Sequence, residues 1–271
     1  MNSFFRNSLS VIFAGTMFFG ASRAFADVAQ AIPEMGDLER WAVFSLGDLN
    51  FGNSLTSGTL IQGDVGVANG NINLGGNARI EGDLYYRSNA ILYISGNAVI
   101  TGAQFQNQDA LLDNEFSQAM GASDAAFALQ PNRSNKTISL KKSGSLSISG
   151  APGETVVLNL KNFQLKGNAT LTLQGTATTN FIINVKNQFA LSSNAMILLS
   201  GGAQWNNVLY NVHGPGADVT LAGDSSLQGI LMATQRTVRL TGSSLVTGEV
   251  IGNRNVISDG SQVIHPPIVS Q

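Results

Sequence analysis

A glycine recurs at a nearly constant interval in two stretches of this chain, each time two positions after an apolar residue. The first stretch contains Gly63, Gly82 and Gly102, and the second contains Gly229 and Gly248. The differences between these positions are 19 (82−63), 20 (102−82) and 19 (248−229). A fixed period of roughly 20 residues is typical of repeat proteins, in which each unit buries its apolar side only against its neighbours. The period therefore predicts a stack of similar coils.

Residues 1–26 have the features of a secretory signal peptide. Arg6 gives a positive start, the apolar run 9–20 follows, and Ala24–Ala26 supplies a small-residue cleavage site. We expect cleavage near Ala26 and a mature protein that is secreted, periplasmic or held at the cell surface. The predicted divisions of the chain are a signal peptide (1–26), a polar leader (27–40), a single coil domain (41–267) and a C-terminal tail (268–271).

The composition excludes several classes of protein. Charged residues make up 12% of the chain, the formal net charge is −2, and the sequence has no basic run. Nucleic-acid binding is therefore not expected, because it normally requires clustered Lys and Arg. The chain has no cysteine, so that neither disulfides nor thiolate-bound metals hold it together. Beyond the signal peptide, no apolar run reaches the length of a membrane span.

Short apolar segments alternate with Gly, Asn and Asp from about residue 48 to 104 and again from 137 to 263. The pairs Gly76-Asn77 and Gly96-Asn97 place the same residue types at the same point of two consecutive repeats. Gly and Asn tolerate left-handed backbone conformations, which tight corners need. Short strands joined by such corners are typical of a β-solenoid. We therefore predict an all-β fold, a right-handed parallel β-helix (β-solenoid).

One segment, 104–128, interrupts this pattern. It contains no proline, and its apolar residues recur at helical spacing, whereas Asp109, Asp113 and Glu115 lie off that stripe. The spacing predicts one long α-helix over 104–128, packed alongside the solenoid by an apolar stripe. The predicted stripe consists of Leu112, Phe116, Ala119, Met120 and Phe127.

Residues suited to catalysis are sparse. The two histidines, His213 and His265, stand beside turn-forming Gly or Pro, and no nucleophile elbow or metal-ligand motif occurs. Asp64 and Asp83 follow the period glycine in adjacent repeats and could stack about 5 Å apart, a spacing that resembles a retaining glycosidase pair. The more ordinary interpretation is a structural or solvent-facing role. We predict no enzyme activity, no catalytic residue, no metal site and no cofactor.

Arg236 and Arg239 raise a second catalytic hypothesis, in which the two arginines act as electrophiles in a lyase. Polar decoration of a solenoid face is the simpler interpretation.

A regular polar face is the best candidate for a binding site. Thr residues in successive coils would lie about 4.8 Å apart and form a rigid array. Such an array suits a regular ligand such as a crystal lattice, a polysaccharide or a neighbouring strand. The candidate binding-face residues are Thr172, Thr176, Thr178, Thr234, Thr237, Thr241 and Thr247.

Six segments resemble the choice-of-anchor A domain, which is described as a bacterial surface adhesive domain. They are Val43–Asn50 (VFSLGDLN), Ser57–Val65, Asn207–Val212, Leu227–Ala233, Val246–Gly252 and Gly260–Pro267. This resemblance implies a coil domain with a role in adhesion.

The second half of the chain also resembles bacterial and fungal ice-binding proteins of the helix-flanked β-solenoid type. The most similar piece is Gly202–Val208 (GAQWNNV), and that family inserts one long helix between its early and late coils. This resemblance implies the same fold and an ability to bind ice.

Together these features predict a secreted, non-enzymatic protein with an adhesion or extracellular-matrix role through a flat solenoid face. Ice binding is the first alternative, and a polysaccharide-active β-helix enzyme is the second. The expected partners are an extracellular surface, a glycan or an ice lattice, and self-association through the end strands is a further expectation.

Overall fold

The structure, a computed structural model, describes residues 36–52, 54, 58–134 and 136–268. The predicted signal peptide lies outside these residues. A 3-10 helix, η1 (Gly36–Arg40), precedes ten short strands. They are β1 (Trp41–Ser45), β2 (Leu49–Phe51), β3 (Leu60–Gln62), β4 (Asp64–Val67), β5 (Ile72–Leu74), β6 (Arg79–Glu81), β7 (Leu84–Tyr86), β8 (Leu92–Ile94), β9 (Val99–Ile100) and β10 (Gln104–Phe105).

The helix α1 (Asp109–Ala128) follows, and the remaining strands come after it. A second 3-10 helix, η2 (Trp205–Asn207), precedes β17. The strands are β11 (Thr137–Leu140), β12 (Ser145–Ser149), β13 (Thr155–Lys166), β14 (Thr170–Gln174), β15 (Asn180–Ser192), β16 (Met196–Ser200), β17 (Val208–Val212), β18 (Val219–Ala222), β19 (Ser226–Leu240), β20 (Leu245–Ile257) and β21 (Gln262–Ile264).

The strands form a parallel β-helix, as predicted, and this β-helix has three faces. Face A consists of β1, β4, β7, β10, β17, the first parts of β13 and β15, and the middle parts of β19 and β20. Face B consists of β2, β5, β8, β11, β18 and the last parts of β13, β15, β19 and β20. Face C consists of β3, β6, β9, β12, β14, β16, β21 and the first parts of β19 and β20.

The order of the coils in the stack differs from their order in the chain. Val43 of β1 pairs with Val250 of β20 on one side and with Val65 of β4 on the other. The N-terminal coil therefore sits inside the stack, against the C-terminal coil, and we call this boundary the seam. One end of the stack is the coil that precedes α1, and the other end is the coil of β11 and β12. The helix connects the two ends.

Apolar side chains from all three faces fill the interior. Alternate residues point inward, because successive side chains of a strand lie on opposite faces of the sheet. Phe163 and Phe189 stack in adjacent coils at 4.7 Å between ring centroids, and Tyr210 packs edge-on against both. These stacked layers bury the apolar area that stabilises a chain without cysteine.

The period glycines lie at the corner between face C and face A. A Cβ on Gly82 would lie 2.2 Å from the carbonyl oxygen of Gly63, and a Cβ on Gly248 would lie 2.2 Å from that of Gly229. Gly248 also has a φ of +139°, which residues with side chains rarely adopt. At this corner each coil therefore rests directly on the backbone of the next, and only glycine fits.

The helix is shorter than the sequence predicts. Residues 104–105 pair with β7 as strand β10, so that α1 begins only at Asp109. The buried side includes Leu112 and Ala119, as predicted, but Glu115 is also buried. This side of α1 packs against apolar residues on the outside of face A, including Trp41, Val157, Ile182, Leu209 and Ile251.

A ladder of three asparagines ties α1 to face A. The side-chain amide of Asn184 donates to Asn159 Oδ1 (2.9 Å) and to the carbonyl oxygen of Ala126 in the helix (2.7 Å). The amide of Asn211 donates to Asn184 Oδ1 (2.9 Å) and to the carbonyl oxygen of Ser123 (2.8 Å). Because buried polar groups need partners, this ladder fixes where the helix sits along the stack.

Large apolar side chains are exposed on the coil that ends the stack before α1. Ile91, Tyr93 and Ile94 are each about half exposed, at 48%, 53% and 48%. Self-association through the end strands stays a prediction.

Replacing the corner glycine should destabilise the whole stack. In Gly248→Ala, a methyl group meets the Gly229 carbonyl at a positive φ, and we expect a loss of about 3 kcal/mol or more in the free energy of unfolding. The control is Gly121→Ala in α1, which is exposed and has open space around its Cβ position. This control should gain about 0.5–1 kcal/mol. Urea denaturation measures both, and equal stabilities would contradict the corner model.

Candidate functional site

Two of the three faces are open to solvent. α1 and η1 cover face A, whose outward residues form an apolar layer with the helix. A binding surface built from the regular strands must therefore lie on face B or face C.

Face B is polar and carries charges. Its central column of outward residues mixes amides, hydroxyls and an arginine. Arg239 pairs with Asp218 (2.5 Å), while Arg254 and Lys166 are exposed. The column consists of Ser139, Gln164, Ala190, Thr220, Arg239, Val256, Asn50, Asn73 and Tyr93.

Face C has outward side chains that are nearly all uncharged, with hydroxyl, amide and aliphatic groups. Among the described outward residues of face C, charge is confined to one coil, where Arg79 and Glu81 pair with each other at 2.6 Å. Two columns of outward residues run along the stack. The first column consists of Ser145, Thr170, Met196, Ser226, Leu245, Gln262, Leu60, Arg79 and Val99. The second consists of Ser147, Thr172, Leu198, Gln228, Thr247, Ile264, Gln62 and Glu81.

The strand spacing makes face C a regular array, with one irregular point. Parallel strands lie about 4.7–4.9 Å apart, so that the two columns repeat at that distance. Between β16 and β19, only Met196 and Ser226 are in register. There the side chain of Gln228 accepts a hydrogen bond from the backbone N–H of Leu199 (2.9 Å) and fills the gap.

The predicted threonines do not share one face. Thr172 and Thr247 lie in the second column of face C. Thr237 lies in β19 on face B, and Thr241 follows the end of that strand. The array that sequence reasoning expected is therefore split between the two open faces.

The other three predicted threonines lie at corners. Thr176 and Thr178 occupy the turn between β14 and β15, where their hydroxyl oxygens are 3.1 Å apart. Thr234 is buried, with only 3% of its surface exposed. Thr176 and Thr178 support the turn that they occupy.

Arg236 serves the fold, in contrast to the lyase-type role considered from the sequence. It is 3% exposed, and its guanidinium donates to the carbonyl oxygens of Gly214 (2.7 Å), Lys186 (2.6 Å) and His213 (3.1 Å). With its donors used in this way, Arg236 holds the loop after β17 against the neighbouring coil.

Asp64 and Asp83 also have structural partners. Asp64 Oδ1 accepts the backbone N–H of Asp83 (2.9 Å), and Asp83 Oδ1 accepts the backbone N–H of Ala103 (2.7 Å). Each carboxylate thus binds the backbone of the next coil. This arrangement differs from a glycosidase pair, in which both carboxylates face a substrate.

His213 lies beside a serine and an aspartate but lacks the geometry of a catalytic triad. Its Nδ1 is 3.4 Å from Ser123 Oγ and 3.7 Å from Asp124 Oδ1. A triad needs the serine and the aspartate on opposite ring nitrogens, and Ser123 is buried and donates to Asn211. Among the described residues, no cluster of three or more His, Cys, Asp or Glu could hold a metal ion. Within the same residues, no helix is long and apolar enough to span a membrane.

A family model described as "Ice-binding-like" matches residues 50–264, which is most of the chain. The chain belongs to the ice-binding-like family. This membership confirms the second resemblance, whereas the choice-of-anchor A assignment is not confirmed. It also agrees with the expectation of a non-enzymatic protein.

Solved ice-binding proteins share the fold of this ice-binding-like chain. An ice-binding protein from the Antarctic ascomycete Antarctomyces psychrotrophicus is 19% identical, with a TM-score of 0.54 over 87% of this chain and 98% of that one. A glycosylated ice-binding protein from an Arctic yeast is 18% identical, with a TM-score of 0.59 over 89% and 97%. One from an Antarctic Flavobacteriaceae bacterium is 19% identical, with a TM-score of 0.60 over 89% and 50%. Among curated proteins, no sequence matches.

A buried carboxyl group lies at the seam of this ice-binding-like chain. Glu249 has no exposed surface, and its Oε1 is 3.4 Å from His265 Nε2. The same nitrogen is 3.0 Å from the carbonyl oxygen of Glu39 in η1, and the His265 ring packs edge-on against Trp205. Burial raises the pKa of Glu249 from 4.5 to about 7, although the hydrogen bond from His265 opposes this shift. The contact of His265 with Glu39 joins the C-terminal strand to η1, which leads into the first coil.

The raised pKa of Glu249 predicts a pH-dependent stability. A carboxyl whose pKa is higher in the folded state stabilises fully below its unfolded value of 4.5, and this stabilisation is lost as the pH rises through about 7. We expect the wild type to lose about 3 kcal/mol relative to Glu249→Gln across that interval. Denaturation of both proteins at several pH values measures this, and parallel curves would contradict it.

Proposed function

We propose that this protein binds ice through face C. The observation that carries this proposal is the character of the outward residues of face C. They form two regular columns of hydroxyl, amide and aliphatic groups, and the one charged coil pairs Arg79 with Glu81. Membership of the ice-binding-like family supports the function. The Antarctic and Arctic origins of the solved ice-binding proteins agree with it. The adhesion role favoured by the sequence has no comparable support.

An uncharged face suits an ice surface for a physical reason. Ice is a neutral lattice of water, and charged groups hold their own hydration shells, which are costly to remove or reorder. Hydroxyl and amide groups can hydrogen-bond to lattice water, while the methyl groups of Thr, Leu and Ile release ordered water on contact. Face B meets this requirement less well, because Arg239 and Arg254 lie on it.

The test compares matched threonines on the two faces. Thr247 on face C and Thr220 on face B are both partly exposed residues in the middle of the stack. We expect Thr247→Tyr to lose most of its thermal hysteresis and inhibition of ice recrystallisation, because the ring prevents close contact with a planar lattice. Thr220→Tyr should keep both activities. Melting curves of the two variants check that each is folded.

Two other outcomes would contradict the proposal. Loss in Thr220→Tyr alone would move the ice contact to face B. Absence of both activities in the wild-type protein would overturn ice binding itself.

A further inference from the structure

The charges of this chain are separated in space, although the sequence has no basic run. All six lysines lie between residues 136 and 186, and Glu154 is the one acidic residue between 125 and 217. The Glu154 carboxylate already has two hydrogen-bond donors. Arg133 Nη2 donates to it at 2.7 Å, and the backbone N–H of Ala151 donates to it at 2.8 Å. The fold stacks this segment as the coils at one end of the solenoid. That end is therefore strongly cationic.

Three of these lysines form a ladder. Lys136, Lys161 and Lys186 are evenly spaced along the chain and occupy the same corner, between faces A and B, of successive coils. The backbone N–H of Lys161 donates to the carbonyl oxygen of Lys136 (2.8 Å). Lys136 and Lys161 precede the paired residues Thr137 and Asn162, so that they leave the backbone about 4.8 Å apart. Lys161 and Lys186 directly follow the paired residues Leu160 and Val185, at a point where the register of the two strands shifts. All three are exposed, and among the described residues no acidic group pairs with them.

A concave pocket adjoins this ladder at the end of α1, with a volume of about 390 Å³. Phe127 forms its aromatic wall and is held by a stacked contact with His213, at 4.1 Å between ring centroids. A second hollow of about 460 Å³ continues from it along the same corner and shares Lys186 and Asn187. The pocket is lined by Phe127, Asn159, Leu160, Lys161, Lys186 and Asn187.

We propose that this groove binds a linear acidic polysaccharide. Its repeated carboxylate or sulfate groups would pair with Lys161 and Lys186, since like charges at this spacing repel one another until an anion neutralises them. A sugar ring would pack on Phe127, and the amides of Asn159 and Asn187 would bind its hydroxyl groups. The groove favours a glycan over a membrane because Phe127 lies in a concave wall, where a flat bilayer surface does not reach. The site is separate from face C.

Binding to alginate, a linear polyuronate, tests the proposal, with uncharged dextran as the negative control. The variant Lys161→Gln/Lys186→Gln removes the two lysines of the pocket. Its control, Lys141→Gln/Lys166→Gln, removes the same charge from adjacent coils at the corner between faces B and C. Affinity electrophoresis should show roughly tenfold weaker binding for the pocket variant, as expected for two exposed ion pairs. The control should stay close to the wild type.

Phe127→Ala provides a second readout. We expect it to weaken alginate binding while leaving the salt dependence unchanged, because it removes a packing contact and no charge. No alginate binding by the wild type, or equal losses in the two double variants, would overturn the groove. Tighter binding to phosphatidylglycerol vesicles or to DNA with the same lysine dependence would also overturn the glycan assignment.

Thermal hysteresis separates this inference from the proposed function. The pocket variant should keep its ice activity, because Lys161 and Lys186 lie at the corner between faces A and B, away from face C.

Discussion

The close contact between backbones of adjacent coils, at the corner between face C and face A, determines the geometry of the stack. Gly248 rests on the carbonyl of Gly229, and Gly82 rests on that of Gly63, with no space for a side chain. This close approach sets the coil spacing and keeps the parallel strands in register. The register in turn aligns the inward aromatic rings and the outward columns. A fault at this corner would therefore disturb both the core and the surface that we propose for ice.

The helix and the seam follow from how the chain is threaded through that stack. Because the first coil lies against the last one, the two ends of the stack are joined by α1, which must run along the side. The ladder of Asn159, Asn184 and Asn211 fixes the helix on face A. Covering face A leaves two open sheets. His265 helps to close the seam, because its Nε2 contacts both the buried Glu249 of β20 and the carbonyl oxygen of Glu39, which precedes the first coil.

The two proposed binding surfaces differ in physical character, and the fold keeps them apart. Face C presents neutral groups at a fixed repeat, which suits a neutral, periodic solid. The lysine ladder presents repeated positive charge beside an aromatic wall, which suits a flexible polyanion. Charge near an ice contact would hold water in place, so that the position of the lysine ladder at the corner between faces A and B, away from face C, is consistent with two functions in one small domain.

The sequence by itself determined the coil period, the corner glycines and the helix, because these depend on local backbone needs and on spacing. It also contained the register of face C: in Ser226–Gly229 and Leu245–Gly248, the outward residues stand one and three positions before the glycine. The candidate threonines were chosen because they cluster in the sequence and not by this register. The structure therefore divides them between the two open faces, the corners and the interior.

Only the tertiary structure decided which faces are open, where the first coil sits and how the charges are distributed. The strand order at the seam depends on contacts between residues far apart in the chain, such as Asn255 and Phe44, and no local pattern encodes them. Lys136, Lys161 and Lys186 form one patch because each stands where the chain turns from face A to face B in successive coils. Stacking of the coils thus brings lysines that are far apart in the sequence together on one cationic surface.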